Sequence, residues 1–173
     1  METLILVDDN DNELGYASRE ECHAGRGKRH RAFVIFLFND KKELLVQFRA
    51  ARKLGGLRWD VSCTSHVWKG ETYDTAAERC MKTELGMKTH VKQVLSYVYE
   101  EFYKDHAENE YCSLLIGHYN GTIYPNQKEM DKVSWVKPKD LEKSIKAKPE
   151  ENTKWLRIAL EQFLKHPASK EFL

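Results

Sequence analysis

The sequence predicts an α/β domain of the α+β kind, with one mixed β-sheet flanked by helices. Short apolar runs rich in β-branched and aromatic residues recur between clusters of Asn, Asp, Gly and Pro, the alternation expected of strands and turns. Residues 72–85 instead place Ala77, Cys80, Met81 and Leu85 on one helical face and stop at Gly86, which predicts a helix closed by glycine. Helical spacing returns near the C-terminus. With 173 residues and no repeat, low-complexity tract or linker, a single domain over residues 1–173 is expected, large enough to bury a core without a disulfide or a structural metal.

Residues 4–7 are an apolar run followed by the turn sequence DDNDNELG and Tyr16, which predicts a hairpin; the basic stretch SREECHAGRGKRH then reads as a loop. Residues 32–38 (AFVIFLF) predict a central strand. A tight turn at Asn39 and Asp40 precedes residues 43–48, so these two runs are expected to pair as a hairpin. Residues 54–57 carry Gly55 and Gly56, and residues 58–66 predict a strand leading to a loop. After the helix, residues 91–99 and 111–119 predict two strands joined by the charged connection EEFYKDHAENE. A turn at residues 124–126, a short strand at 133–136, a helix opening at Pro138 (KPKDLEKSI) and an amphipathic helix at 153–164 complete the chain.

Composition removes several function classes. Lys and Arg number 28 against 27 for Asp and Glu, so a net charge of +1 gives no bulk attraction to nucleic acid or an anionic membrane. No apolar stretch approaches the roughly 20 residues that span a bilayer, and the N-terminus lacks the pattern of a secretion signal, so a cytoplasmic protein is expected. Cys22, Cys63, Cys80 and Cys112 are dispersed without a CxxC pair and are expected to be thiols.

The chemistry must therefore be local. Glu84 lies one helical turn after Cys80, at the edge of the buried face, where a carboxylate needs a partner. Glu71 begins the same helix and suits its N-terminus, and Arg79 can pair with either acid. His23 and His30 stand six residues apart, His66 follows a strand, and Glu108 and Glu110 share a face of an extended segment, so the two glutamates can converge on one ion. Taken singly, each has an ordinary reading as a surface histidine or a cross-strand ion pair.

Taken together they do not. The spacing Gly70-Glu71-x12-Glu84-x-Gly86 resembles the Nudix box, a loop and helix that present carboxylates to divalent cations on a diphosphate. Aligned on Gly86, the chain keeps Glu71, Arg79 and Glu84 but carries Cys80 and Thr83 at the other two carboxylate positions, which counts against the metal-activated water of a hydrolase. In order, H-x6-H, LLVQFRAARK, Trp59 seven residues before His66, ERCMKTELG and ENEYC resemble the type I isopentenyl-diphosphate isomerase family. The resemblance implies a Nudix fold. It implies one divalent ion (zinc, manganese or magnesium) on His23, His30, His66, Glu108 and Glu110, and a magnesium ion held by Glu84 with the substrate diphosphate. Arg19, Arg49 and Lys53 would bind that small-molecule diphosphate, and Glu110 would be one of two proton-transfer residues on opposite faces of the substrate alkene.

The second of those residues is a cysteine in the family. Counting from Trp59 to His66, its position is Thr64, with Cys63 beside it, and strand alternation predicts that Cys63 faces the core and Thr64 the pocket. Cys63, Thr64 and Glu110 are thus the catalytic candidates. A hydroxyl titrates many units above a thiol, so slow turnover is expected. The family's cation-stabilising tryptophan corresponds to Glu150, with Trp68 and Trp155 as the aromatics that could take its place. The alternatives are a Nudix hydrolase of a nucleoside diphosphate derivative or another diphosphate, and a diphosphate-binding protein without catalysis. Oligomeric state is not set by the sequence.

Overall fold

The computed structural model describes residues 2–103 and 105–173. The strands are β1 (Thr3–Val7), β2 (Glu13–Ser18), β3 (His30–Phe38), β4 (Leu44–Arg49), β5 (Trp59–Asp60), β6 (Cys63–His66), β7 (Val91–Tyr103), β8 (His106–His118) and β9 (Met130–Val136). The helices are α1 (Arg19–His23), α2 (Tyr73–Leu85), α3 (Pro138–Ala147) and α4 (Lys154–Lys165), with short 3-10 turns at Pro149–Glu151 and Pro167–Glu171. The mixed sheet and flanking helices are as expected.

Strand β3 is the axis of the sheet. Phe33, Ile35 and Leu37 point into one core with Ala77, Cys80, Met81 and Leu85 of α2, while Val34, Phe36 and Phe38 pack in a second core with Leu156, Leu160 and Phe163 of α4. A strand covered on both faces has to be apolar at every position, which accounts for AFVIFLF. Truncating one of these phenylalanines to alanine costs about 3–5 kcal/mol. Along one edge β3 runs parallel to β8, from His30 opposite Glu110 to Phe38 opposite His118. Along the other it meets three partners in turn: β1 at His30, β6 from Ala32 to Ile35, and β4 at Phe38.

That sharing of an edge keeps the expected hairpin short. β3 and β4 are joined only at Phe38 and Leu44, after which β4 pairs with β5 and with β9. Residues 58–66 are two short strands, β5 on β4 and β6 on β3, rather than one. The basic stretch is not all loop, because Ser18 caps α1 reciprocally with Glu21. Most of the connection EEFYKDHAENE is strand: β7 and β8 pair from Val91 opposite Gly117 out to Tyr103 opposite His106, with Asp105 in the turn and Lys104 outside the described residues.

Helix α2 follows its sequence signals. Thr72 accepts from the Thr75 amide, and Gly86 ends the helix in the left-handed region at φ 63°, where a Cβ would also lie 2.9 Å from the Cβ of Tyr124. Among the described residues no helix is long and apolar enough to cross a membrane.

Candidate active site

The five residues of the predicted His/Glu set come together. One ligand atom from each of His23, His30, His66, Glu108 and Glu110 lies within 4.8 Å of all the others. The sheet explains how: His30 opens β3, Glu110 is its partner on β8, and His66 ends β6 opposite Ala32, two residues and therefore one face-repeat beyond His30. Glu108 precedes Glu110 on the same face of β8. His23 arrives from the last turn of α1.

Second contacts orient the rings. Nδ1 of His23 donates to the Arg19 carbonyl at 2.7 Å and Nδ1 of His30 to the Lys28 carbonyl at 2.8 Å, since a carbonyl can only accept. Each Nε2 therefore presents its lone pair to the cluster, and both atoms are buried without a hydrogen-bond partner among the described residues. Nε2 of His23 is 3.2 Å from Oε2 of Glu108, and Nε2 of His66 is 3.2 Å from Oε1 of Glu110. With Nδ1 of His23 donating, a neutral His23 turns its Nε2 lone pair on a carboxylate oxygen at that separation, which is repulsive unless a cation lies between them. A proton or a metal ion meets that need, and three imidazoles with two carboxylates form a donor set fit for a divalent metal.

The electrostatics agree. Burial holds His30 down at about 4, and burial, reinforced by the neighbouring histidines, holds His66 well below the usual range, so both stay neutral ligands. Burial disfavours charge on His23 as well, but the Glu108 carboxylate outweighs it and raises the ring. Burial also opposes ionisation of Glu108, yet the contact with His23 overrides it and brings the carboxyl down to about 2. Burial, then the charge of Glu108, pushes Glu110 well above the ordinary carboxylate range. The two carboxyls are thus pushed apart, Glu108 toward the ionised form and Glu110 toward the protonated one.

The cluster opens into a cavity of about 470 Å³. Arg19, Arg49 and Lys53 line it, joined by Arg52 and Arg79. Arg49 is buried, ion-paired with Asp60, donates to the Leu54 carbonyl at 2.9 Å and lies 5.1 Å over the Trp155 ring. Lys53 pairs with Glu129 and Arg19 with Glu2 at 3.7 Å. Trp68 and Trp155 both form part of the wall, as do Glu110 and Tyr99. Glu84 stands apart from the His/Glu set, buried at the cavity's edge with Gln47 Nε2 3.3 Å from its carboxylate, and burial raises it to about 7.

Comparison with known proteins bears on this arrangement. The NUDIX domain model matches residues 28–157. The chain belongs to the Nudix domain family. It belongs within that family to the isopentenyl-diphosphate Delta-isomerases: it is 34% identical over 93% of its length to Isopentenyl-diphosphate Delta-isomerase 2 of Aromatoleum aromaticum, covering 86% of that relative. It is 36% identical over 90% of its length to Isopentenyl-diphosphate Delta-isomerase 2 of Photorhabdus laumondii, covering 89% of it. Among solved structures, DR0079 of Deinococcus radiodurans superposes with a TM-score of 0.77 at 22% identity, over 93% of this chain and 98% of that one, a likeness of fold.

Within the Nudix box, the loop and the helix α2 divide their labour. Glu71 is held by Arg79 through contacts of 2.6 and 2.8 Å and accepts from the Trp68 amide at 2.9 Å, so the pair braces the loop behind His66, whose carbonyl Arg79 also bonds at 2.9 Å. Cys80 and Thr83 face the cavity where other Nudix boxes carry acids. Thr64 lines the cavity, and its hydroxyl donates to the Phe33 carbonyl at 2.8 Å, while Cys63 lies wholly buried in the core on the α2 side. Strand alternation therefore holds through β6. Reading the sequence missed His106, whose Nε2 lies 3.0 Å from Glu108 and whose ring stacks on His23 with centroids 4.8 Å apart. It also missed Tyr99, the cross-strand partner of Glu110.

Proposed function

We propose that the chain is a divalent-metal-dependent isomerase that converts isopentenyl diphosphate to dimethylallyl diphosphate, with a proton economy altered by Thr64. The observation that carries the reading is the convergence of three histidines and two glutamates on one point, with Glu110 belonging both to that point and to the cavity wall. His23, His30, His66, Glu108 and Glu110 hold one ion, a metal suited to mixed imidazole and carboxylate donors such as zinc or manganese, with magnesium as the harder alternative. Bound there, the ion supplies positive charge that fixes the two carboxylates and lowers their proton affinity. Glu84 holds magnesium with the diphosphate, and Arg19, Arg49 and Lys53 take its oxygens, exchanging part of their present carboxylate contacts for phosphate.

The isomerisation moves one proton onto the terminal alkene carbon and removes another from the far side of the resulting tertiary cation, so atoms balance without a redox partner. Glu110, whose cross-strand neighbour is Tyr99, is one proton carrier. Trp155 and Trp68 offer π faces to the cation, although Arg49 and Arg79 already lie over these rings. The opposite carrier is the weak part. Thr64 gives its only O–H to a backbone carbonyl, and Cys63 is buried behind the cavity wall, outside its lining.

The test is turnover of isopentenyl diphosphate beside a panel of nucleoside diphosphates, with magnesium and a transition metal present. We expect slow isomerisation by the wild type, a rise of at least about tenfold in Thr64→Cys, which supplies a titratable acid, and little change in Cys63→Ala. Phosphate release from the nucleoside diphosphates with no isomerisation by either protein would overturn the reading in favour of hydrolysis.

A further inference from the structure

We infer that Cys63, Cys80 and Glu84 form a second, thiol-containing divalent-cation site at the floor of the cavity, able to take zinc in the absence of any diphosphate. The two sulfurs and a Glu84 carboxylate oxygen lie within 4.8 Å of one another. They reach this point from two elements: Cys63 from β6, and Cys80 and Glu84 from successive turns of α2. Cys80 and Glu84 line the cavity, and Cys63 closes the group from behind with no exposure of its own.

Packing accounts for the two buried thiols, since cysteine behaves as a small apolar side chain. It does not account for the carboxylate beside them. Glu84 is 8% exposed, accepts a hydrogen bond from Gln47, and makes no ion pair among the described residues, although Lys53 and Arg49 stand across the cavity. A buried carboxylate without a cation is costly, and a metal ion relieves it.

The donor chemistry selects the ion. Zinc binds sulfur at about 2.3 Å and carboxylate oxygen at about 2.0–2.2 Å in a tetrahedron, so three donors already this close need only small adjustments to share it. The fourth position faces the cavity. Thiolate ligands favour zinc or cobalt over magnesium. On binding, each S–H bond breaks, a sulfur–metal bond forms and the proton passes to solvent, two protons per ion with no change of oxidation state. The inference does not rest on the isomerase reading, because it concerns ion uptake before any substrate arrives.

The experiment is cobalt titration of the metal-stripped full chain, followed by absorption and by elemental analysis. We expect two ions per chain, the second bringing a thiolate-to-cobalt charge-transfer band that is lost in both Cys63→Ser and Cys80→Ser, kept in Cys22→Ser, and kept in a tenfold excess of magnesium. Glu84→Gln, which leaves both sulfurs in place, should weaken uptake of the second ion at least tenfold. Loading without a thiolate band, a band that survives Cys63→Ser, or unchanged affinity in Glu84→Gln would each overturn the site, and the last holds even if a serine variant fails to fold.

Discussion

His106 touches two of the converging residues at once, stacking on His23 and bonding Glu108, and so restricts how far either can turn away from the shared point. Contacts of this kind behind a metal ligand are worth 10–100-fold in affinity. We therefore expect His106→Ala to weaken the tighter divalent ion by about that factor, and His106→Gln, whose amide N–H can still reach Glu108, to recover part of the loss. Calorimetric titration of the metal-stripped proteins measures both; equal affinity in wild type and alanine variant would remove His106 from the site. The five members of the set were legible through the family resemblance, and they meet because the register of β3, β6 and β8 gathers His30, His66, Glu108 and Glu110 while α1 brings His23. His106 was not, for a local reason: residues 100–110 are so charged that they read as a connection. Taken as a strand, period two would have put His106 on the face of Glu108 and Glu110. Tyr99 is hidden similarly, since its meeting with Glu110 depends on cross-strand register that no single segment encodes.

Among the elements, α2 was legible end to end because its caps and its buried face all lie within one short segment. Gly86 is the sharpest of these signals. An L-residue at φ 63° costs roughly 1–2 kcal/mol, and the contact with Tyr124 adds to it. Gly86→Ala should lower Tm by roughly 2–8 °C, read by calorimetry. A fall below one degree would mean that the turn relaxes freely. The hairpin of β3 with β4 forms but is short, because tight-turn chemistry at Asn39 and Asp40 specifies a reversal of the chain, not how long the two strands stay together. Here β6 and β1 occupy the rest of that edge, and β4 is drawn off by β9 and β5. Helix α1 escaped notice because five residues are too few to display a helical period, although the reciprocal Ser18–Glu21 cap was present in the sequence.

At the scale of the whole molecule, Glu84 ties stability to pH. Its carboxyl is at about 7 in the folded protein against an ordinary value of 4.5. The folded state thus binds the proton more tightly, and between these two values stability falls as pH rises; the contribution is fully present below 4.5 and lost above about 7. The metal-free wild type should give up on the order of 3 kcal/mol through that window. Glu84→Gln carries no such penalty, so in chelator it should match the wild type at pH near 4 and exceed its Tm above pH 7. Parallel melts at the two pH values decide it, and a variant no more stable than wild type in alkali would contradict the buried-carboxylate account.

The His/Glu cluster draws on α1, β3, β6 and β8, and its key register, His30 against Glu110, belongs to a parallel pairing between distant parts of the chain. Parallel pairings of that kind close long loops and are among the slower steps of folding. A chain still emerging, or only half collapsed, can offer His23 and His30 but not their partners, so it would hold an ion poorly. An ion bound by the cluster would consequently be a late arrival, captured by a nearly finished fold and acting as a latch on it. Metal in the refolding buffer should leave the rate of folding almost unchanged while slowing the rate of unfolding, a signature that stopped-flow measurements with and without chelator can read directly.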